Sequence, residues 1–365
     1  MTSRAEGADV TSQGRAQVIG TGLIGGSVAM ALRAAGWHVT GSDADHEVEA
    51  AALERGAVDA VGRDAPADLV VVCTPSAKVA DIARSVLAAN QDPNLIVTDV
   101  AGVKAPIVEA IDDPRFVGGH PMAGSEQLGV AGARSDLFVG ATWVLTPGED
   151  TPADTYGRLL SIVRSLGAQG VALSATDHDR LVAHVSHVPH LVASALMNEA
   201  AAVAESDAAL LLLAAGGFRD MTRVAAGDPA IWPDVCVENS TAILEGLDAL
   251  AVQIDGLRQA IADGDRQALH AALTTASRAR RALPGRSVDP ERLAEVRIPV
   301  PDRAGVLAQV TATASELGLS VVDVEIAHSV EGGRGVLIVV VARDEAERYA
   351  GALRNLDFMC SVVEL

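Results

Sequence analysis

Residues 17–43 read QVIGTGLIGGSVAMALRAAGWHVTGSD, and this stretch constrains the fold more than any other. An apolar run leads into Gly20-x-Gly22-x-x-Gly25, a helix of small residues follows, and a second apolar run ends at Asp43. Each glycine has a physical task in a strand–turn–helix that cradles a dinucleotide. Gly20 makes the tight turn, Gly22 lets the backbone approach a pyrophosphate, and Gly25 lets the helix pack against the strand. The helix N-terminus then offers N–H groups to the anion. Asp43 stands where an acid accepts hydrogen bonds from ribose hydroxyls. Asp43 and Asp45 would repel a 2′-phosphate, and no Arg or Lys follows closely, so the cofactor expected is NAD rather than NADP. A glycine-rich turn without a ligand, with Asp43 as an ordinary strand-end residue, is the competing reading. The combination of strand, turn, helix and second strand disfavours it.

The alternation continues. AQVIG, HVTGS, LVVVC, LIVTD and FVGGH are short β-branched runs separated by Ala-rich segments as far as Leu173, the pattern of a doubly wound, mostly parallel sheet. From about Ala175 the strand runs stop. LVASALMNEAAAVAE and NSTAILEGLDALAVQIDGLRQAIADGD have helical spacing, and a block this apolar is expected to bury a face against a second subunit. LPGRSVDPE reads as a linker. The remainder reads strand–helix–strand–strand–helix–strand, a ferredoxin-like βαββαβ unit. The expected division is a disordered tail (1–14), a dinucleotide-binding Rossmann domain (15–173), an all-α domain (174–284), a linker (285–293) and the βαββαβ domain (294–365).

Bulk properties exclude several function classes. The formal net charge is −20, which repels nucleic acid and anionic membrane alike, so an anionic substrate needs a local cationic site. Aromatic residues make up 2 %, so the core is built mainly of Ala, Val and Leu. The N-terminus lacks the apolar region of a signal peptide and no stretch reads as a membrane span, so a cytoplasmic chain is expected. Cys73, Cys236 and Cys360 are far apart and form no metal or disulfide pattern.

Three further stretches carry chemistry. In FVGGHPMAGSE, His120 follows what reads as the last strand of the sheet, where ligands of open α/β sheets bind. Pro121 biases it toward extended backbone, and the two glycines before it leave room for another group. HVSHVPHLVASA concentrates His184, His187 and His190. No cysteine or acid cluster joins them and Pro189 breaks the helical register, so no metal is expected, and His184 reads as a packed helix histidine. GGFRDMTRVAAGDPAIW sets Arg219, Asp220, Arg223 and Trp232 between helices. Asp220 and Arg223 read either as a surface i,i+3 pair or as the setting of a guanidinium fork for a carboxylate.

GTGLIGGS, VTDVAGVK, HPMAGSE, SHVPH and GFRDMTR with Trp232, in that order, identify the chain as similar to the prephenate/arogenate dehydrogenase family of tyrosine biosynthesis. VPDRAGVLAQV resembles the first loop and helix of an ACT regulatory domain. The resemblance implies NAD-dependent oxidative decarboxylation of prephenate, with His120 as the catalytic base. It implies substrate contacts from Arg223, Ser186, His190 and Gly216, and gating or supporting positions at Glu126, Asp220 and Trp232. Around the cofactor it adds Leu23, Ile24, Thr74 and Pro75 to Gly20, Gly22, Gly25 and Asp43. It further implies a homodimer through the helical domain, and an amino-acid effector, tyrosine, at Asp302, Ala304, Gly305 and Val306. Two positions depart from the family. Gly102 stands where relatives commonly carry a serine that orients the histidine and the nicotinamide, leaving Thr98 or a water as substitutes, and Ala304 stands where proline is frequent. Arogenate is the alternative substrate. A β-hydroxyacid dehydrogenase would need a lysine in the helical block, but the only lysines are Lys78 and Lys104. A non-catalytic sensor of NAD and amino acids is the alternative from another class.

Overall fold

The computed structural model describes residues 14–63, 66–123, 127, 129–207, 209–283, 293–301, 305–328, 334–356 and 358–364. Glu126, Asp302, Ala304, the expected tail up to residue 13 and the expected linker up to residue 292 lie outside these residues. The chain divides into two compact units, residues 1–251 and 252–365, with the boundary inside the helix Ser240–Ala262.

The first unit is built on an eight-stranded sheet of β1 (Arg15–Ile19), β2 (His38–Ser42), β3 (Ala60–Val61), β4 (Leu69–Val72), β5 (Ile96–Asp99), β6 (Phe116–Pro121), β7 (Thr142–Thr146) and β8 (Gln169–Ala172). Their order is β3-β2-β1-β4-β5-β6-β7-β8. β1 to β6 run parallel, β7 is antiparallel to β6, and β8 is parallel to β7. β4 and β5 are buried at every position, which is why LVVV and IVTD read as unbroken β-branched runs rather than alternating ones. The chain order reverses between β1 and β4, and this switch point sets the ligand crevice at the strands' carboxyl ends.

His120 is therefore not beyond the last strand. It lies within β6, paired with Val144 of β7, and two more strands follow. β7 and β8 were not among the strand readings. β8 (QGVA) is mostly exposed and lacks the buried β-branched signature, whereas β7 (TWVLT) is buried at every position after Thr142 and carries that signature.

Helices Ala175–Val182 and Val188–Ser206 carry the chain out of the sheet, joined by a π-helical turn, Ala183–His187. Ser174 caps the first of them, accepting a hydrogen bond from the Asp177 N–H at 3.0 Å. Pro189 follows directly on this π turn, where the regular helical register is broken while the chain stays helical.

In the second unit, β9 (Leu293–Pro301), β10 (Asp323–His328), β11 (Arg334–Ala342) and β12 (Ser361–Glu364) form an antiparallel sheet in the order β10-β11-β9-β12. Helices Val306–Glu316 and Arg343–Arg354 complete βαββαβ. β9 starts at Leu293, one residue before the expected boundary. Among the described residues no helix is long and apolar enough to cross a membrane.

Candidate active site

The turn after β1 has the shape its glycines demand. Gly20 is left-handed (φ +91°), and a Cβ there would lie 2.5 Å from the Cys73 carbonyl oxygen. A Cβ on Gly25 would overlap the Gly20 carbonyl. Gly22 faces open space and precedes a helix, Leu23–Ala34, that no side chain caps. Leu23 and Ile24 open that helix, and Ile24 packs on the core. Asp43 follows β2, and its Oδ2 accepts from the Thr21 N–H at 2.7 Å. A carboxylate has about four acceptor sites, so this bond fixes Asp43 and still leaves capacity for a ribose. Thr74 lies just after β4, with its buried hydroxyl unpartnered, and Pro75 begins the following helix. A tight turn, an open face over uncapped N–H groups, a held acid and an orphaned hydroxyl fit a dinucleotide.

Beside this crevice, β5 and β6 end in a buried polar cluster. Asp99 and Lys104 are both fully buried and form an ion pair. Asp99 also accepts from the Gly119 N–H at 3.0 Å and the Ala101 N–H at 2.9 Å. It thereby ties the end of β5 to the backbone next to His120. A Cβ on Gly119 would lie 2.6 Å from the Asp99 carbonyl oxygen, so only glycine lets β6 come this close.

His120 Nδ1 lies 2.8 Å from His178 Nε2, and His178 Nδ1 lies 2.7 Å from Asp179 Oδ1. Burial pushes the His120 pKa well below the ordinary histidine value, and the positive charges that His178, Lys104 and His187 can carry add to this. Its other face looks toward Gly102, where a Cβ would sit 3.9 Å from both Cε1 and Nε2. Gly102, where the resemblance leads one to expect a serine, is thus beside His120 Nε2. Thr98 does not replace it. Its hydroxyl is buried without a partner, against the backbone of Gly119.

The π turn decides which histidines face inward. The residues 184, 187 and 190 are spaced by three, which would stack them along one helical face. The widened turn shifts the phase. His187 and His190 are buried, whereas His184 is exposed, with its ring against Gly246 of the helix Ser240–Ala262. His190 stacks on Trp232 with ring centroids 3.5 Å apart and planes 12° apart, and His187 meets the same indole edge-on at 6.1 Å. Burial lowers the pKa of both rings, His187 to about 4. Asn239 joins the two halves of the site, donating to the Asp179 carbonyl at 2.8 Å and lying 3.2 Å from His187 Nδ1. A continuous chain of contacts thus runs from His120 through His178, Asp179, Asn239 and His187 to Trp232 and His190. Ser186 lies in the π turn, half-buried.

GGFRDMTR is not an irregular connection. Gly216–Thr222 is a short helix, followed by a 3₁₀ turn from Arg223 to Ala226, and both pack on the helix that carries His190. Gly216, Asp220 and Arg223 are exposed there. Gly305 (φ +92°) and Val306 begin the first helix of the second unit, and Val306 is buried.

Sequence reasoning missed His178, Asp179, Asn239 and the Asp99–Lys104 pair. Signals existed: Asp99 ends a strand of the sheet, Lys104 is one of two lysines, and adjacent His178 and Asp179 precede the histidine run. What no pattern shows is that a helix from the next domain lays them against β6.

Residues 28–172 match the prephenate dehydrogenase nucleotide-binding domain and residues 174–275 the prephenate dehydrogenase dimerization domain. The chain is 31 % identical over 344 residues to a prephenate dehydrogenase of Bacillus subtilis (strain 168), covering 91 % of this chain and 93 % of that protein. Among solved structures it resembles prephenate dehydrogenase from Aquifex aeolicus in complex with hydroxyphenyl propionate and NAD⁺, with a TM-score of 0.69 at 28 % identity over 74 % of this chain and 98 % of that one. It resembles Synechocystis arogenate dehydrogenase with a TM-score of 0.63 at 33 % identity, over 73 % and 98 %. The chain belongs to the prephenate dehydrogenase family and is an NAD-dependent oxidoreductase.

Proposed function

We propose that the chain is a cytoplasmic prephenate dehydrogenase, converting prephenate to 4-hydroxyphenylpyruvate and CO₂ for tyrosine biosynthesis. The observation that carries this reading is the position of His120, at the carboxyl end of the sheet, held through Nδ1 by His178 and facing the Gly102 side with Nε2. When bound, NAD⁺ supplies the oxidant. His120 accepts the proton of the ring hydroxyl. The resulting ketone is conjugated to the carbon bearing the ring carboxylate, and CO₂ leaves because the ring becomes aromatic. A histidine kept neutral by burial is ready as a base at working pH.

On a chain of net charge −20, a dianionic substrate needs a dedicated cation, and Arg223 is that group. Ser186, His190 and Gly216 contact the substrate, with Trp232 stacked on the His190 ring, while Asp220 and Glu126 serve as gating or supporting groups. Gly20, Gly22, Leu23, Ile24, Gly25, Asp43, Thr74 and Pro75 hold the cofactor.

The second unit acts as an ACT domain that binds tyrosine near Asp302, Ala304, Gly305 and Val306 and inhibits. Its βαββαβ order supports this, as does an alignment with the Bacillus protein that spans 91 % of the chain. A homodimer forms through the helical region. Val252, Ile261 and Leu273 are 65–68 % exposed in the single chain, and helix Arg266–Arg281 has no buried residue; apolar surface of this kind marks an interface.

Arogenate is the second reading, favoured by the likeness to the Synechocystis enzyme. NADH formation with prephenate and arogenate side by side decides between them. Turnover of prephenate alone is the expected result. His120→Asn should cut turnover by about 10²–10⁴-fold while NAD still binds. Normal turnover in that variant, or silence of the wild type with both substrates, would sink the reading.

A further inference from the structure

We infer that His178, backed by Asp179, fixes His120 as its Nδ1–H tautomer and receives the proton that His120 takes from the substrate. The inference rests on His120 being the base, and it follows from how each proton must sit. Asp179 is immobilised before it meets His178. Its Oδ1 accepts from the Lys104 N–H at 2.7 Å, its Oδ2 from the Ala105 N–H at 2.8 Å, and its carbonyl from Asn239 at 2.8 Å. A carboxylate held in this way is an acceptor only. The nitrogen 2.7 Å from it, His178 Nδ1, therefore carries a proton. In neutral His178 the other nitrogen, Nε2, is then a lone pair. His120 Nδ1, 2.8 Å away, must supply the hydrogen of that contact. This leaves the lone pair of His120 on Nε2, the atom that looks toward Gly102. The reverse tautomer would present an N–H to the substrate hydroxyl and no base.

The same chain of bonds conducts. As the substrate O–H breaks, an N–H forms at His120 Nε2. The Nδ1–H of His120 breaks and an N–H forms at His178 Nε2, while the hydrogen on the ring carbon leaves with its electron pair to NAD⁺. The positive charge ends on His178, in contact with Asp179, rather than on His120. Gly102 makes the arrangement more important in this chain, because no side-chain hydroxyl from that position orients the ring. The charged or titratable groups around His178 are His120 from β6, Asp179 on its own helix, Lys104 and Asp99 from the β5 end, His187 from the π turn, and Glu238, which acts on Lys104.

Two measurements test this. Long-range ¹H–¹⁵N spectra of the substrate-free protein, with labelled histidine, should show His120 as Nδ1–H, the signal being assigned by its loss in His120→Asn. An Nε2–H pattern would overturn the inference without touching the substrate assignment, which the paired substrate assay decides. The second is the pH profile of His178→Gln, whose amide oxygen can accept the His120 N–H but cannot take a proton. In the wild type, a proton taken up by His178 turns its Nε2 into a donor and shuts the base off, producing the acid limb of kcat/KM. Without that site the limb should move to lower pH and kcat should fall by about 10²-fold, with KM little changed. A lower kcat with an unmoved limb would mean His178 only fills space, and unchanged turnover would exclude the relay as well. If the variant no longer binds NAD, the wild-type tautomer decides alone.

Discussion

The buried face of the four-stranded sheet holds Val296, Ile298, Leu337, Val339 and Val341, and the helix Arg343–Arg354 packs on it with Ala346, Ala350 and Leu353. Its large polar group, Tyr349, is fully buried, and its hydroxyl donates to the Val310 carbonyl at 2.8 Å. The first unit is different. Around β5 and β6 it buries Asp99, Lys104, His178, Asp179, His187 and Asn239, each within a bonded network. Burying charge costs stability unless every partner is supplied. The difference teaches where the chain has accepted that cost: in the unit that must move a proton, and not in the βαββαβ unit, whose core needs only to pack.

The sharpest way to break this contrast is Lys104→Ala. Removing one partner of a buried ion pair leaves an uncompensated charge, with a cost of about 3–5 kcal/mol. The variant should unfold at markedly lower denaturant concentration, with NAD binding lost in the same transition, while a probe in the second unit moves far less. A loss under about 1 kcal/mol would show that Asp99 does not depend on Lys104 for its burial.

A truncation ending near Pro284 sharpens the comparison from the other side. The first unit contains every residue assigned to NAD and to the substrate, so turnover should persist and tyrosine inhibition should vanish. If the truncated protein remains equally sensitive to tyrosine, the effector acts at the active site instead.

The same contrast explains what the sequence made legible. Gly20, Gly22 and Gly25 are readable because one backbone geometry demands them at one spacing. The strands β4 and β5 are readable because parallel interior strands are buried at every position and are rich in β-branched residues. His120 stood out for its glycines and proline, although its strand was taken for the sheet's last. His178 and Asp179 were missed because they look like any helix-start pair. Their meaning arises only when helix Ala175–Val182 is laid on β6, and nothing local encodes that contact. His184, His187 and His190 were alike in spacing, and only the π turn separates the exposed ring from the buried pair.

The smallest expected effect concerns acid. His187 is buried and Asn239 fixes its state. The Asn239 amide donates to the Asp179 carbonyl, so the group facing His187 Nδ1 at 3.2 Å is an N–H. His187 Nδ1 must accept and cannot carry a proton. The folded-state pKa is accordingly lowered to about 4, with burial as the main cause. An unfolded histidine titrates near 6.5. Between these values the unfolded chain binds a proton that the folded chain refuses, so stability rises with pH through this window and falls on acidification. His120 and His190, also held below the ordinary value by burial, act in the same direction. In the second unit His270 is exposed. The melting temperature of the first unit should therefore drop between pH 6.5 and pH 4.5 more steeply than that of the second. His187→Asn should flatten that slope, even though it lowers stability at neutral pH. Equal slopes for the two units would mean that the histidine cluster is already open to protons in the fold, and that its neutrality is not what the buried network maintains.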